Sequence, residues 1–471
     1  MEQTTGAKVL RPPRRRAALA RFVGVAVAGS IVAGCSSSSP VSPSTTPLTA
    51  PARPPESFDF PTAISPSHRY LLDQHGKPFM MVGDSPQCLS ANLSTDDMGF
   101  FFANRSAYGF NTAWVNLLCG PYTRGRHDAS TYDDIKPFTK EGDLSTPNPD
   151  YFARMDTMVQ LAARHGITLL LDPAETGTFR KLLKDNGVDK SYTYGMFLGE
   201  RYKVAPNIIW MLGNDYQGDQ WKTYDPYLVA LSKGIRAADP AKLQTIELNY
   251  NVSTSYDNPT WPALIDVATA YTYYPTYDAV LKAYNSTPTQ PVFMVEANYE
   301  FENNTKGPGT TDETLRRQEY WTMLSGATGQ LYGNGYTWGL KKKSWKEHFE
   351  TKAVTELGYM VKLLGDRPWQ DLVPDQRHEF LVEGAGKPSS NGDVLDNDYA
   401  TAAVTPDGTF GAVYVPTERT VTIDQTKLRA GATAQWFDPT DGSFRPAAAP
   451  FKTPGRNAGG DHDWVLVFGG Q

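Results

Sequence analysis

Cysteine is scarce in this chain: Cys35, Cys88 and Cys119 are the only three in 471 residues. So few exclude a disulfide-framed fold, and they form no Cys-x-x-Cys pair of the kind that zinc sites use. The seven histidines are scattered without a His-x-x-x-His pair, so neither a metal nor another cofactor is expected. Positive charge is not in excess either, since 45 Lys and Arg stand against 51 Asp and Glu, a net charge of −6. Nucleic-acid binders concentrate basic residues, which excludes nucleic acid as a partner. No Gly-x-Gly-x-x-Gly follows the first candidate strand, which removes the dinucleotide-binding fingerprint.

The apolar run near the N-terminus, Phe22 to Ala33, is shorter than the ~20 residues of a spanning helix. It follows Arg11, Arg14, Arg15 and Arg16 and ends in Val32-Ala33-Gly34-Cys35, which resembles a bacterial lipoprotein cleavage box. Residues 1–35 therefore read as a lipoprotein signal peptide with Cys35 as the lipidated residue. The expected location is outside the cytoplasm, lipid-anchored at the cell membrane or surface of a bacterium. The Ser/Pro/Thr-rich stretch 36–56 reads as a tether. Cys88 and Cys119 both lie just past the expected ends of the first two strands. Pairing in an oxidising exterior and two buried free thiols are both compatible with that placement.

Aromatics are abundant, with 25 Tyr and 10 Trp. Such rings pack cores, and they also stack on the apolar faces of sugars. Two stretches organise the rest. Asn207-Ile208-Ile209-Trp210-Met211-Leu212 is an apolar run that ends in Gly213-Asn214-Asp215, and Pro291 to Val295 is another that ends in Glu296. Buried parallel strands deliver polar side chains to the rim of a sheet or barrel in this way. Six further runs have the same texture, ending near Asp84, Leu118, Asp172, Asn249, Tyr274 and Asn334. Helical periodicity fills the intervals at 96–108, 151–165, 194–202, 224–238, 315–325 and 355–364. Eight strands alternating with helices predict a (β/α)8 TIM barrel over residues 57–368. Beyond Trp369 the texture changes to short strands split by Asp407-Gly408 and Asp441-Gly442 turns. That pattern predicts a small antiparallel β-sandwich over 369–471.

Glycoside hydrolysis needs one carboxylic acid to protonate the leaving oxygen and one carboxylate to attack or stabilise the sugar. Strands four and seven of an eight-stranded barrel face one another across its mouth, which makes Asp215 and Glu296 the candidate pair. Asn214 is a candidate hydrogen-bond donor to a sugar hydroxyl, and Asp84 a candidate on the floor of the site. Trp114, Tyr273, Tyr274, Tyr332 and Trp338 are candidate stacking platforms, each of which also suits a core. Asp172, Glu175, Glu247 and Glu300 are rival carboxylates, Glu175 and Glu247 reading more readily as loop or supporting residues. The long segment from Gly120 to Asn148 is polar and predicts a loop over the site.

The strand ending in Gly83-Asp84, the stretch Trp210-Met211-Leu212-Gly213-Asn214-Asp215, and Val295-Glu296 together resemble the apiosidase-like family of TIM-barrel glycoside hydrolases. The Trp436-Phe437-Asp438-Pro439 turn resembles the collagen-binding-type β-sandwich that follows that barrel in many genomes. The likeness runs from about Pro61 onward. It implies a retaining glycosidase with Asp215 as acid/base and Glu296 as nucleophile, acting on an oligo- or polysaccharide. Ser85-Pro86-Gln87 departs from the Thr-x-Trp that relatives tend to carry after Gly-Asp, and Leu248-Asn249-Tyr250 replaces a His-Pro pair. These changes touch the sugar subsite, so a furanoside such as arabinofuranose is as well supported as apiose. A non-catalytic surface lipoprotein that binds glycan or matrix protein is the alternative.

Overall fold

The computed structural model describes residues 58–304, 309–341 and 343–469. The expected signal peptide, Cys35 and the tether lie outside the described residues. Among the described residues, no helix is long and apolar enough to cross a membrane.

The eight expected strands are present as β1 (Met81–Asp84), β2 (Thr112–Asn116), β3 (Thr168–Asp172), β4 (Ile208–Met211), β5 (Gln244–Thr245), β6 (Ala268–Thr272), β7 (Val292–Glu296) and β8 (Gly329–Tyr332). They form one curled sheet in the order β5-β4-β3-β2-β1-β8-β7-β6, all parallel. An extra strand, Val252–Thr254, pairs antiparallel with β6. The seam between β5 and β6 is closed largely by individual bonds. Val267 N donates to Gln244 O at 3.3 Å and Thr245 Oγ1 to Val267 O at 2.7 Å. Ser255 Oγ and Thr269 Oγ1 both reach Ile246 O, at 2.9 and 2.8 Å. Side-chain hydroxyls thus take over where the ladder stops, which keeps the buried carbonyls paired. β5 is shorter than the expected run to Asn249, because the backbone beyond Ile246 turns to meet the end of β4.

Helices cover the sheet: α1 (Thr95–Ala107), α2 (Pro149–Arg164), α3 (Thr176–Tyr202), α4 (Asp225–Ala238), α5 (Thr276–Tyr284), α6 (Asp312–Leu324) and α7 (Lys352–Gly365). Their N-termini carry the caps that unpaired N–H groups require: Ser94 on α1, Asn148 on α2, Glu175 on α3 and Thr351 on α7. α3 begins well before the expected 194–202 because two helices meet at Gly187, whose φ of +81° breaks the periodicity. The barrel interior is filled by Met81, Trp114, Leu170, Ile209, Met211, Phe293, Val295 and Leu331.

The C-terminal region forms two antiparallel sheets, one of six strands and one of three. The strand Gly411–Val415 shows how the period of two serves two cores. Val413 and Val415 face the three-stranded sheet with Val421, Phe451 and Trp464, whereas Ala412 and Tyr414 join Leu315, Trp321, Leu357 and Met360 of α6 and α7. The sandwich is therefore packed on the barrel through a shared apolar layer, reinforced by Tyr320 stacked on Tyr414 with centroids 5.0 Å apart.

Cys88 and Cys119 are joined in a disulfide, both fully buried. It ties the loop after β1 to the loop after β2 across a separation of 31 residues. A closed loop of that length corresponds to about 3–4 kcal/mol in the chain-entropy model. The double substitution Cys88→Ala/Cys119→Ala is expected to lower stability by that amount, read as a fall of several degrees in the thermal midpoint.

Candidate active site

Period-two alternation decides which strand-end residues can reach the barrel mouth. On β1, Met81 faces the interior, so Asp84 falls on the outer face. There it is 1% exposed and bound to Arg105 of α1 at 2.6 Å, with its other oxygen taken by Ser85 N. Asp84, expected on the floor of the sugar site, is thus half of a buried ion pair. Tyr332 has the same parity on β8: Leu331 faces inward, and the Tyr332 hydroxyl bonds Glu300 beneath the helices. Trp114 faces inward but lies fully buried in the barrel core. Neither ring is a stacking platform. Trp338 is half-buried, its indole N–H donating to Glu302 at 2.7 Å and its face covered by Arg124 at 4.1 Å.

Alternation would also turn Glu296 outward, since Phe293 and Val295 face the interior. A shift in the β6–β7 register intervenes: Ala270 pairs with Met294 but Tyr271 pairs with Glu296. This extra residue re-aims the carboxylate inward beside Tyr271, the usual consequence of a bulge. Three phenols then converge on Glu296. Tyr271 and Tyr273 donate to Oε1 at 3.0 and 2.5 Å, and Tyr299 donates to Oε2 at 2.8 Å. Tyr273, expected as a platform, is instead a hydrogen-bond donor to this carboxylate.

Asp215 sits in the turn past β4 with a left-handed φ of +45°. Its Oδ2 accepts from Tyr122 at 2.8 Å, its N–H donates to Glu247 Oε2 at 2.8 Å, and its Oδ1 is buried without a partner. The charges of Asp215 and Glu296 both act on Tyr271, and that of Asp215 acts on Glu296, so the two carboxyl groups share one cluster of phenols. Asn214 is held by α3: Thr176 N donates to its Oδ1 at 2.9 Å, which leaves the Nδ2 end of the amide as the donor.

Burial pushes Asp215 up to about 6 and Glu296 up to about 8, with the charge of Asp215 adding to the rise of Glu296. The pair accordingly holds one proton near neutral pH. Taken singly, these values leave that proton on Glu296. Tyr271, Tyr273 and Tyr299 moderate the rise of Glu296 by stabilising its charged form, and Tyr122 does the same for Asp215.

Of the rival carboxylates, Glu300 is buried and accepts from Tyr332 and Thr351, a structural role. Glu175 caps α3 through Thr178 N at 2.7 Å, and Asp172 accepts from Ala174 N at 2.9 Å. Glu247 lies against both members of the pair. The rim aromatics are Tyr122 and Tyr250, 44% and 50% exposed, the latter edge-on to Tyr273. Sequence reasoning passed over Tyr122, Tyr250, Tyr271 and Tyr299. The alternation of Tyr271 with Tyr273 was the one available signal, placing both on the face that looks into the barrel.

These elements match known proteins. Residues 65–371 match the family model described as "Apiosidase-like, catalytic domain". The chain belongs to the apiosidase-like glycoside hydrolases. Residues 390–469 match "Putative collagen-binding domain of a collagenase". A solved structure named only as a glycoside hydrolase superposes with a TM-score of 0.75 at 22% identity, over 87% of this chain and 96% of the other. A glycoside hydrolase of family 5 from Bacteroides vulgatus gives 0.74 at 22% identity, over 87% and 93%. A third, from the same organism, gives 0.63 at 13%, over 88% and 82%. These neighbours share the barrel-plus-sandwich fold. No match was found among curated proteins. Like its family, this apiosidase-like chain is an enzyme acting on O-glycosyl bonds.

Within that enzyme the Tyr122 hydroxyl is the accessible lever on Asp215. Its bond lowers the Asp215 pKa, so Tyr122→Phe removes stabilisation of the carboxylate. The expected result is an alkaline limb of the pH–rate profile displaced upward and kcat reduced about tenfold. Initial rates across the pH range for the two proteins check this.

Proposed function

We propose that the protein cleaves a furanosidic linkage, of apiose or arabinofuranose type, in a cell-wall glycan with retention of configuration. Asp215 serves as the acid/base and Glu296 as the nucleophile. The observation that carries this is the pair itself: two buried carboxyl groups, each bound by tyrosine hydroxyls, with the charge of one acting on the other. Retention is what the resemblance to the apiosidase-like family implies, and it requires carboxyl groups ~5–5.5 Å apart rather than the ~6.5–9.5 Å that leave room for a water. In the first step Asp215 passes its proton to the glycosidic oxygen while Glu296 attacks the anomeric carbon. In the second, Asp215 takes a proton from water, whose oxygen displaces Glu296 from the sugar.

Exposed Tyr122 and Tyr250 offer ring faces for the sugar at the rim, and Asn214 offers a donor beside the acid. We further propose export and lipid anchoring through Cys35, supported by the basic and apolar pattern of residues 1–35. Mass spectrometry of the membrane fraction tests it: a diacylglyceryl group on an N-terminal Cys35 is expected, and an unmodified N-terminus refutes it.

The reaction is tested with a panel of aryl furanosides, aryl pyranosides and cell-wall polysaccharides. Release of one sugar with the retained anomer, seen by proton NMR at early times, is expected. An inverted first product would refute the retaining assignment. Glycan binding without turnover would point to the non-catalytic lipoprotein instead.

A further inference from the structure

Glu247 follows Ile246 where the strand-five backbone crosses behind the Asp215 turn, and it brackets that turn with three bonds. Its N–H donates to Gly213 O at 3.1 Å, its carbonyl accepts from Tyr216 N at 3.3 Å, and its Oε2 accepts from Asp215 N at 2.8 Å. The bracket has work to do. A non-glycine residue in the left-handed region is strained, and Asp215 at φ +45° needs neighbours that hold it there.

The rest of the Glu247 side chain is unexplained by that task. It is 0% exposed, and its second oxygen, Oε1, is buried with no hydrogen-bond partner. The groups that face it are Asp215 past β4, Glu296 of β7, Asp172 of β3, and the phenols of Tyr122, Tyr271 and Tyr299. The charged ones are all carboxylates. An ionised Glu247 would be a buried anion among anions, which burial and repulsion both oppose. Since Oε2 already accepts from an N–H, the proton of a neutral Glu247 belongs on Oε1, the oxygen without a partner. Asp215 Oδ1 is the buried oxygen of the proton donor that also lacks one.

We infer that Glu247 is the positioning residue of the proton donor: as a neutral carboxylic acid it fixes the Asp215 turn through Oε2 and offers the Oε1 hydroxyl to the carboxylate that Asp215 becomes. The inference rests on Asp215 being the acid/base. When Asp215 gives its proton to the leaving oxygen, the glycosidic C–O bond breaks with its electrons on that oxygen as Glu296 bonds the anomeric carbon, and the proton of Glu247 stays where it is. It donates a hydrogen bond to the new Asp215 charge, and in the second step Asp215 is reprotonated from water.

The test compares Glu247→Ala and Glu247→Gln in the full chain, using phenyl and 2,4-dinitrophenyl glycosides of the panel sugar turned over fastest. A dinitrophenolate leaves without protonation, so only the phenyl glycoside depends on the proton donor. Glu247→Ala is expected to cut kcat/KM roughly 10²-fold on the phenyl glycoside and less than about tenfold on the dinitrophenyl one. Glu247→Gln keeps a neutral acceptor and a donor, and is expected to recover much of the phenyl activity with its alkaline limb unmoved. Equal losses on both glycosides would reduce Glu247 to a structural residue. An alkaline limb moved a full pH unit lower in Glu247→Gln would mean that Glu247 is charged, overturning the inference. Infrared difference spectra of wild type against Glu247→Gln at neutral pH supply a reading independent of turnover. A protonated-carboxyl band is expected, and its absence overturns the assignment whether or not any glycoside is cleaved. A wild type that cleaves nothing while showing the band defeats the underlying reaction instead.

Discussion

Glu296→Gln is expected to reduce turnover by on the order of 10⁴-fold, about 5 kcal/mol of transition-state stabilisation. The amide is nearly isosteric: its oxygen can still accept from Tyr271 and Tyr273 while its NH2 donates to the Tyr299 oxygen, so the fold and the cleft should persist. What is lost is the proposed nucleophile. An amide oxygen in that place cannot form the covalent glycosyl intermediate or stabilise positive charge on the sugar to the same degree. The pH profile supplies a second reading. Asp215 and Glu296, raised to about 6 and about 8, titrate as a pair that is active with one proton. A bell-shaped kcat/KM with limbs near those values is therefore expected for the wild type. The acid limb reports the second proton joining the pair, which silences the nucleophile. The alkaline limb reports loss of the shared proton, which silences the acid. Residual activity of Glu296→Gln should lack the acid limb. A variant with turnover within tenfold of wild type would transfer the nucleophile's role elsewhere.

Arg316→Met is expected to destabilise the protein by about 3–5 kcal/mol, the largest stability effect foreseen from a single side chain. Arg316, on α6, is buried where barrel meets sandwich. Its guanidinium binds Glu356 of α7 at 2.7 Å and, from the C-terminal region, Asp461 at 2.6 Å and Asp463 at 3.0 Å. Asp463 and Glu356 are themselves buried. Removing the cation leaves two carboxylates in an apolar layer, with Tyr414 and Asn457 as the remaining donors to Asp463. Glu356 is already pushed up to about 7 by burial, against the pull of Arg316. Without the cation it should rise further, so the loss should be greatest at alkaline pH and shrink as the group is protonated. Denaturant unfolding at several pH values checks both sign and size. Arg316→Lys keeps the charge but not the fork that binds three carboxylates, and should lose less than Arg316→Met.

Several sequence expectations were tied to physics that local pattern carries. The apolar runs before Asp215 and Glu296 are buried on both faces, as parallel strands under helices must be, and they read as strands for that reason. Of the apolar face read for α2, Phe152, Met155, Met158, Val159 and Ala162 are buried as its periodicity requires, and Leu161 is half-buried. Other features were not legible. β5 ends at Thr245 and has no helix between it and β6, because the Val252–Thr254 strand occupies the seam. No periodicity marks a strand that is cut short by its neighbours.

The candidate aromatics show the same division. Trp114, Tyr273, Tyr332 and Trp338 all lie at or near strand ends, yet parity and depth send each to a different fate. Composition counts rings without saying which side of a strand they occupy.

By itself the sequence determined that two apolar strands end in carboxylates, that eight apolar strands follow one another with helices between most of them, and that a β-rich region follows. Those are consequences of burial and backbone hydrogen bonding, which act over neighbouring residues. Tertiary structure alone decided that a register shift in β7 turns Glu296 inward, that Asp84 pairs with Arg105, and that four tyrosines and Glu247 surround Asp215 and Glu296. Each depends on which residues the closed barrel brings together, and a carboxylate acquires its proton, its donors and its role only from those neighbours.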